Sequence, residues 1–278
     1  ATTRSPAPLR SAEAPVVLSA SALGDIITCP ARWFFVREAG GRSSSGQQAN
    51  LGTLIHAIAE QVATDTTPGP TKDLDQLMIQ VDQVWDRFTF ATPWSSARAR
   101  DRVRLALERF LVWHQANART FLAAEQRFDT ELSLADGVRL RINGSIDRLE
   151  LDAAGQLVVV DFKTGKNPIS APKVATDPQL ALYQLALTRG AALPQYGVRT
   201  SGAEIVQLGL DDARPARVTG QEELHPDGAL ARDLEAELAR AERLIRAEEF
   251  PATPGPACAS CEFWSICPAR SAGSVLSQ

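Results

Sequence analysis

Leu157-Val158-Val159-Val160-Asp161-Phe162-Lys163 is the stretch that decides the fold. A run of apolar residues ends in an acid, an aromatic and a base. Upstream, Asp147 stands in Gly144-Ser145-Ile146-Asp147-Arg148. The spacing predicts two adjacent antiparallel strands joined by the turn Ala153-Ala154-Gly155. Such a pair brings two carboxylates and a lysine to one edge of a small sheet, on strand ends expected to face the surface. Residues two apart on a strand share a face, so Asp161 and Lys163 point at one site while Phe162 turns into the core. Two carboxylates can hold a divalent cation through oxygen. A lysine beside them can orient or deprotonate a water, or stabilise charge on a phosphate. These are the parts of metal-assisted phosphodiester hydrolysis.

Around this stretch the pattern alternates between helix and strand. Ser19 is a candidate cap for a helix over 20–38, bent or divided by Pro30. A loop over 40–46 follows, then a helix over 51–63 that carries His56, and a turn region over 65–70. Spaced apolar residues predict amphipathic helices over 74–90 and 96–119. Strands are predicted over 124–134, 138–151 and 157–162, with Asp136-Gly137 as the first hairpin turn. A short helix over 179–189, strands over 203–210 and 216–220, and a charged helix over 229–248 complete the order. That order is an α/β core preceded by a helical section.

At 278 residues and 44% hydrophobic content the chain can bury a substantial core. No apolar run approaches the ~20 residues of a membrane helix, and no signal sequence is evident, so a cytoplasmic protein without membrane contact is expected. The Pro-, Ala- and Ser-containing start, residues 1–17, reads as a linker. It begins without methionine, as a processed protein or a module of a longer one would. The net charge of −4 argues against a protein that coats DNA by charge alone. It fits a domain to which DNA is delivered by a partner.

Several short motifs now stand in order: Gly52-Thr53-Leu54-Ile55-His56, Gly144-Ser145-Ile146-Asp147-Arg148, Asp161-Phe162-Lys163-Thr164-Gly165 and Gln179-Leu180-Ala181-Leu182-Tyr183. Cys29, Cys258, Cys261 and Cys267 complete the set. In this order they resemble the RecB-family nucleases of the PD-(D/E)xK superfamily. No proline precedes Asp147, and Phe162 stands where the superfamily's name has a second acid; RecB-type members share both features. The resemblance implies a restriction-endonuclease-like core, a mixed central sheet flanked by helices. It runs over residues 18–270, with a helical section over 50–123, the catalytic core over 124–220, a helix and cysteine cluster over 221–270, and a tail over 271–278.

The same resemblance implies roles. His56, Asp147, Asp161 and the backbone carbonyl of Phe162 would bind Mg²⁺ or Mn²⁺, the imidazole favouring manganese. Lys163 would position or activate water. Glu125 would help place a second metal or a water, although a plain surface glutamate reads almost as well. Gln179 and Tyr183, four apart on a helical face, would stand beside the scissile phosphate, with ordinary helix packing as the alternative. The arginine run Arg98, Arg100, Arg102, Arg104 and Arg109 reads better as a solvated charged face than as a DNA groove. His114 and His225 read as structural or surface residues.

Cys258-x2-Cys261-x5-Cys267-Pro268, with the distant Cys29, uses every cysteine in the chain. Disulfides suit a secreted protein, and structural zinc more often shows two close pairs. The pattern resembles the [4Fe–4S] site of RecB-family and Cas4-type nucleases, with a structural role. The function implied is a DNA exonuclease acting on single strands or DNA ends. It would be the nuclease module of an AdnAB- or AddAB-type helicase–nuclease that processes double-strand breaks. A stand-alone Cas4-like exonuclease and a non-catalytic, cluster-stapled DNA-binding module are the alternatives.

Overall fold

The computed structural model describes residues 11, 14–41, 46–65, 73–134, 137–211 and 215–270, with only the backbone of 46–48. Most of the linker, loop residues 42–45, the turn region 66–72, Asp136 of the hairpin turn and the tail 271–278 lie outside the described residues.

In chain order the elements are strand β1 (Val16–Ser19), helices α1 (Ala20–Thr28), α2 (Pro30–Arg37), α3 (Gly46–Thr64), α4 (Leu74–Trp85) and α5 (Pro93–Ala116), strands β2 (Thr120–Ser133), β3 (Arg139–Leu151) and β4 (Leu157–Lys163), helices α6 (Ala171–Ala175) and α7 (Pro178–Thr188), strands β5 (Thr200–Gln207) and β6 (Arg217–Gln221), and helix α8 (Ala229–Ala247). Short 3-10 turns carry the cysteine segment. The strands form one mixed sheet in the order β1-β3-β4-β5-β6, with β2 paired to β3. The expected α/β architecture is therefore present. No helix among the described residues is long and apolar enough to cross a membrane.

The predicted hairpin is β3–β4, antiparallel with Arg148 opposite Val160 and Leu151 opposite Leu157. β4 then runs parallel to β5. A parallel pair needs a crossover, and α6 and α7 supply it. β4 is buried from Leu157 to Phe162, which explains its unbroken apolar run: a central strand has no face to give to water.

Two differences from the sequence reading have simple causes. Val16 and Val17, taken as the end of the linker, begin β1, whose pairing is parallel to residues 140–143 of β3. A four-residue strand leaves too little alternation to read. The first helix is divided, not bent. Ser19 caps α1 by accepting the Ala22 N–H at 3.1 Å, and Pro30 starts α2, where its missing N–H costs nothing. Cys29 is left between them in extended backbone.

The chain forms two compact units. The first combines residues 1–44, 128–144 and 225–278. Its buried residues include Leu18, Leu23, Ile26, Leu140, Ile142, Leu234 and Leu238. Phe250 stacks between Trp33 (5.4 Å between ring centres) and Phe34 (5.0 Å). Arg32 bonds both Asp25 and Glu262, tying α2 to the cysteine segment. The second unit holds residues 45–127 and 145–224. Helices α3, α4 and α5 pack Ile58, Leu77, Val81, Leu107 and Phe110 against Val160, Phe162, Val206 and Leu208 of the sheet.

The arginine run of α5 divides by environment. Arg100 pairs with Asp82 at 2.7 Å and Arg104 with Asp75 at 3.0 Å, both exposed, as a solvated face would be. Arg109 corrects that reading: it is 3% exposed, and its Nη1 donates to the carbonyls of Leu208 (2.7 Å) and Leu210. The 3.6-residue period simply carries this member of the run inward. Arg109→Ala would leave both carbonyls without that donor. It is expected to cost about 2–4 kcal/mol in urea unfolding; a change under about 0.5 kcal/mol would show the two bonds to be dispensable.

Candidate active site

Continuing the β3–β4 register one step beyond Arg148 and Val160 sets Asp147 opposite Asp161. Directly opposed residues of an antiparallel pair present their side chains on the same face. The Asp147 carboxylate is also anchored, because its Oδ2 accepts the backbone N–H of Phe162 at 2.7 Å. Phe162 turns its ring into the core, edge-on to Phe110 (5.5 Å) and Trp113 (5.3 Å). The alternation expected for Asp161, Phe162 and Lys163 holds.

The expectation of surface-facing strand ends needs correction for Asp161, which is 2% exposed. β5 continues alongside β4 through Lys163, so the strand has neighbours where an end was expected. Lys163 Nζ lies 2.7 Å from Asp161 Oδ2. Burial pushes the Asp161 carboxyl up to about 7, with the ammonium opposing and Asp147 reinforcing the shift. For Lys163, burial favours the neutral amine, but the Asp161 and Asp147 charges outweigh it and the pKa rises. The neighbouring carboxylates therefore favour the ammonium form of Lys163.

His56 comes from α3. Its Nδ1 lies 3.5 Å from Asp147 Oδ2 and 3.9 Å from Glu125 Oε1. The helix can pass this close because of Gly52, one turn earlier: a Cβ there would meet Thr164 Oγ1 at 2.9 Å. Burial alone would lower the imidazole's pKa, but bonding to Asp147 and Glu125 raises it to about 10. Glu125 is held below its ordinary value, first by His56. Its backbone is left-handed (φ 47°), rare for a residue with a side chain, and its Oε2 accepts the Ser145 hydroxyl at 2.9 Å.

His56, Glu125 and Asp147 each offer a ligand atom within 4.8 Å of the others. The trio thus contains Glu125, which the sequence left almost evenly balanced, while the Asp161 carboxylate is engaged by Lys163. Gln179 and Tyr183 join the same site. Lys163 Nζ donates to Gln179 Oε1 at 3.0 Å, and Gln179 Nε2 donates to Tyr183 Oη at 2.8 Å. Burial, with the nearby carboxylates, raises the Tyr183 pKa, so the phenol keeps its proton.

Three supporting residues escaped the sequence reading. Ser145 steadies Glu125; its signal was its place two residues before Asp147, on the same strand face. Asp177 caps α7, accepting the N–H groups of Gln179 (2.9 Å) and Leu180 (3.2 Å), and so fixes Gln179. Asp-Pro before an apolar run is its signal. Gly209 lets two backbones touch, since a Cβ there would lie 1.9 Å from the Thr164 carbonyl oxygen; nothing local in the sequence marks it. His114, stacked on Phe110 with Nδ1 3.1 Å from Arg148 Nη1, is structural as expected, and His225 caps its own turn at the Asp227 N–H.

In the first unit, Cys29, Cys258, Cys261 and Cys267 all line one cavity of about 240 Å³. All four are free thiols. The Thr253 N–H approaches Cys29 Sγ at 3.5 Å, and the Gly255 N–H approaches Cys258 Sγ at 3.3 Å. Among the described residues no three of these sulfurs converge within 4.8 Å.

Residues 17–268 match the family model of the PD-(D/E)XK nuclease superfamily. Among solved structures, the chain is similar to SSO0001, at 16% identity over 93% of this chain and 89% of that one, with a TM-score of 0.45. It is also similar to a "Putative exonuclease" from Eubacterium rectale, at 12% identity over 88% of this chain and 86% of that one, with a TM-score of 0.48. No curated protein matches it.

Proposed function

From the premise that the chain belongs to the PD-(D/E)XK nuclease superfamily, we propose that it is a metal-dependent deoxyribonuclease acting on single strands or DNA ends. One observation carries this reading: His56, Glu125 and Asp147 converge within 4.8 Å beside the Asp161–Lys163 pair. Mg²⁺ or Mn²⁺ held by His56, Glu125 and Asp147, with Asp161 and the Phe162 carbonyl as further oxygen donors, would supply an activated water and a polarised phosphoryl oxygen. Nitrogen among the donors favours manganese.

The protein's own groups do the rest. The Phe162 N–H holds Asp147 in place, and Ser145 holds Glu125. Lys163, as an ammonium, donates to a phosphate oxygen and stabilises the charge that grows there. Gln179 fixes the lysine's direction, and Tyr183 fixes Gln179.

Hydrolysis of an end-labelled single-stranded oligonucleotide, stopped by a chelator and restored by Mn²⁺ or Mg²⁺, tests this reading. A second result should accompany it. At neutral pH His56 carries a proton that a metal must displace, so each ion bound releases one. Apparent metal affinity should rise at least about tenfold per pH unit between pH 6 and 8, with the Asp161 carboxyl adding to the slope at the acid end, and His56→Ala should weaken binding and lower that slope by about one. A wild-type affinity independent of pH would remove His56 from the ligand set.

The four cysteines are proposed to hold a [4Fe–4S] cluster, on the support of their shared cavity and of the pattern Cys258-x2-Cys261-x5-Cys267 with the distant Cys29. Unpaired thiols also fit a reducing, cytoplasmic setting. Attachment to a helicase motor, in double-strand-break processing, is supported by the order of the motifs and by the net charge of −4, which leaves DNA delivery to a partner.

A further inference from the structure

The second unit holds a cavity of about 360 Å³ outside the catalytic constellation. One wall is α3 at Gly52 and Ile55, within the turn that precedes His56; another is Thr164-Gly165-Lys166, which continues directly from Lys163. The third is the N-terminal half of α5, with Trp94, Arg98 and Arg102. The cavity therefore shares two walls with the candidate active site.

Its chemistry is unlike the rest of the surface. The chain carries 33 acids against 29 lysines and arginines, yet among the described residues the cavity is lined by Arg98, Arg102 and Lys166 and by no carboxylate. Trp94 is 69% exposed, the largest aromatic surface left open among the described residues. The Arg98 guanidinium lies 5.5 Å from the centre of its ring. Arg102 has a loose partner in Asp211 at 3.9 Å, and both are well exposed. An open indole beside one stacked arginine and a second that is only loosely paired leaves both an aromatic face and positive charge accessible. It suits a ligand with a flat π-face and a negative charge one bond network away.

We propose that this cavity is a subsite for a nucleotide of single-stranded DNA next to the scissile phosphate, a reading that rests on the proposed nuclease activity. The base stacks on Trp94, and Arg98, Arg102 and Lys166 meet the adjoining phosphate. Stacking on an aromatic is tolerant of sequence, and arginine adds both charge and a second flat surface. A duplex keeps its base faces inside its own stack and cannot offer one to Trp94, so the subsite selects single strands. Gly209 maintains the geometry: it lets the Thr164-Gly165-Lys166 wall seat itself against the chain after β5.

The probe is a short labelled oligothymidylate, with its duplex form as control, titrated onto the full chain by fluorescence anisotropy in Ca²⁺ in place of the catalytic metal. Trp94→Ala should weaken single-strand binding by about tenfold to a hundredfold and leave duplex binding unchanged. Arg98→Ala should lower the salt slope of single-strand binding by about 0.7. In hydrolysis assays Trp94→Ala should raise KM with kcat at saturation unchanged. Equal Kd and KM for wild type and Trp94→Ala overturn the subsite, as does an equal loss on single strands and duplex. If the binding difference appears but wild type cuts nothing, the single-strand site stands and the hydrolysis reading falls.

Discussion

Lys163→Ala is expected to lower single-strand hydrolysis by about a thousandfold or more. Removing one positioned donor to a developing oxyanion costs about 10²–10³. Here a second loss is added. Asp161 is 2% exposed and is already held at about 7 by burial, against the pull of the ammonium. Without Lys163 the pull that opposes burial is gone, so the carboxyl rises further and becomes a weaker oxygen donor. Lys163→Arg keeps a charge and should recover part of the rate. Asp161→Asn should be as inactive as Lys163→Ala while keeping its volume. Asp161→Ala is a poorer test, because it strands a buried ammonium at a cost of up to about 3 kcal/mol, reduced by that side chain's partial exposure. Initial rates on a labelled oligonucleotide at saturating Mn²⁺, with melting curves for each variant, decide the matter. A folded Lys163→Ala protein cutting within tenfold of wild type would remove the lysine from the mechanism.

Cys29→Ala should remove the cluster as completely as Cys261→Ala. Anaerobically purified wild type is expected to be brown, with about four irons per chain. Cys29 is set apart by its backbone: Pro30 forces the break between α1 and α2, and the extended residue at the break lines the cavity of the other three cysteines. A bond there closes a loop from Cys29 to the far end of the chain. Loop entropy of that length restricts the unfolded chain by about 5 kcal/mol, taking the disulfide as a guide. The variant should therefore lose both iron and stability. Full iron content with unchanged melting would make Cys29 a small packed residue. Stoichiometric zinc without iron would replace the cluster and keep the staple.

What could be read in advance follows from how local each cause is. The β3–β4 hairpin, the Asp161–Lys163 face and the cap at Ser19 rest on spacing within a few residues, and they stand. The four-cysteine cavity was legible because cysteines are few and each has one main use. Asp161's burial was not, since it depends on β5, which reaches β4 only after a crossover of two helices. Arg109 was misread because a run of arginines along α5 looks uniform until the helix is wound. Glu125's left-handed backbone and the contact at Gly209 belong to the meeting of distant segments, and no neighbour in sequence announces them.

The turn between β3 and β4 has a consequence of its own. Asp152 Oδ1 accepts the N–H groups of both Ala154 and Gln156 at 2.9 Å, and Gly155 takes the left-handed step (φ 75°) that closes the turn. From this point each strand counts back the same number of residues to its aspartate. The turn is thus a ruler for the site. Its composition at Ala153 and Ala154 is free to drift over evolutionary time, but its length is not. One inserted residue carried into either strand would slide the two aspartates out of opposition and turn one of them to the other face of the sheet. Related chains should show substitutions here without gaps, and insertions should gather in other loops.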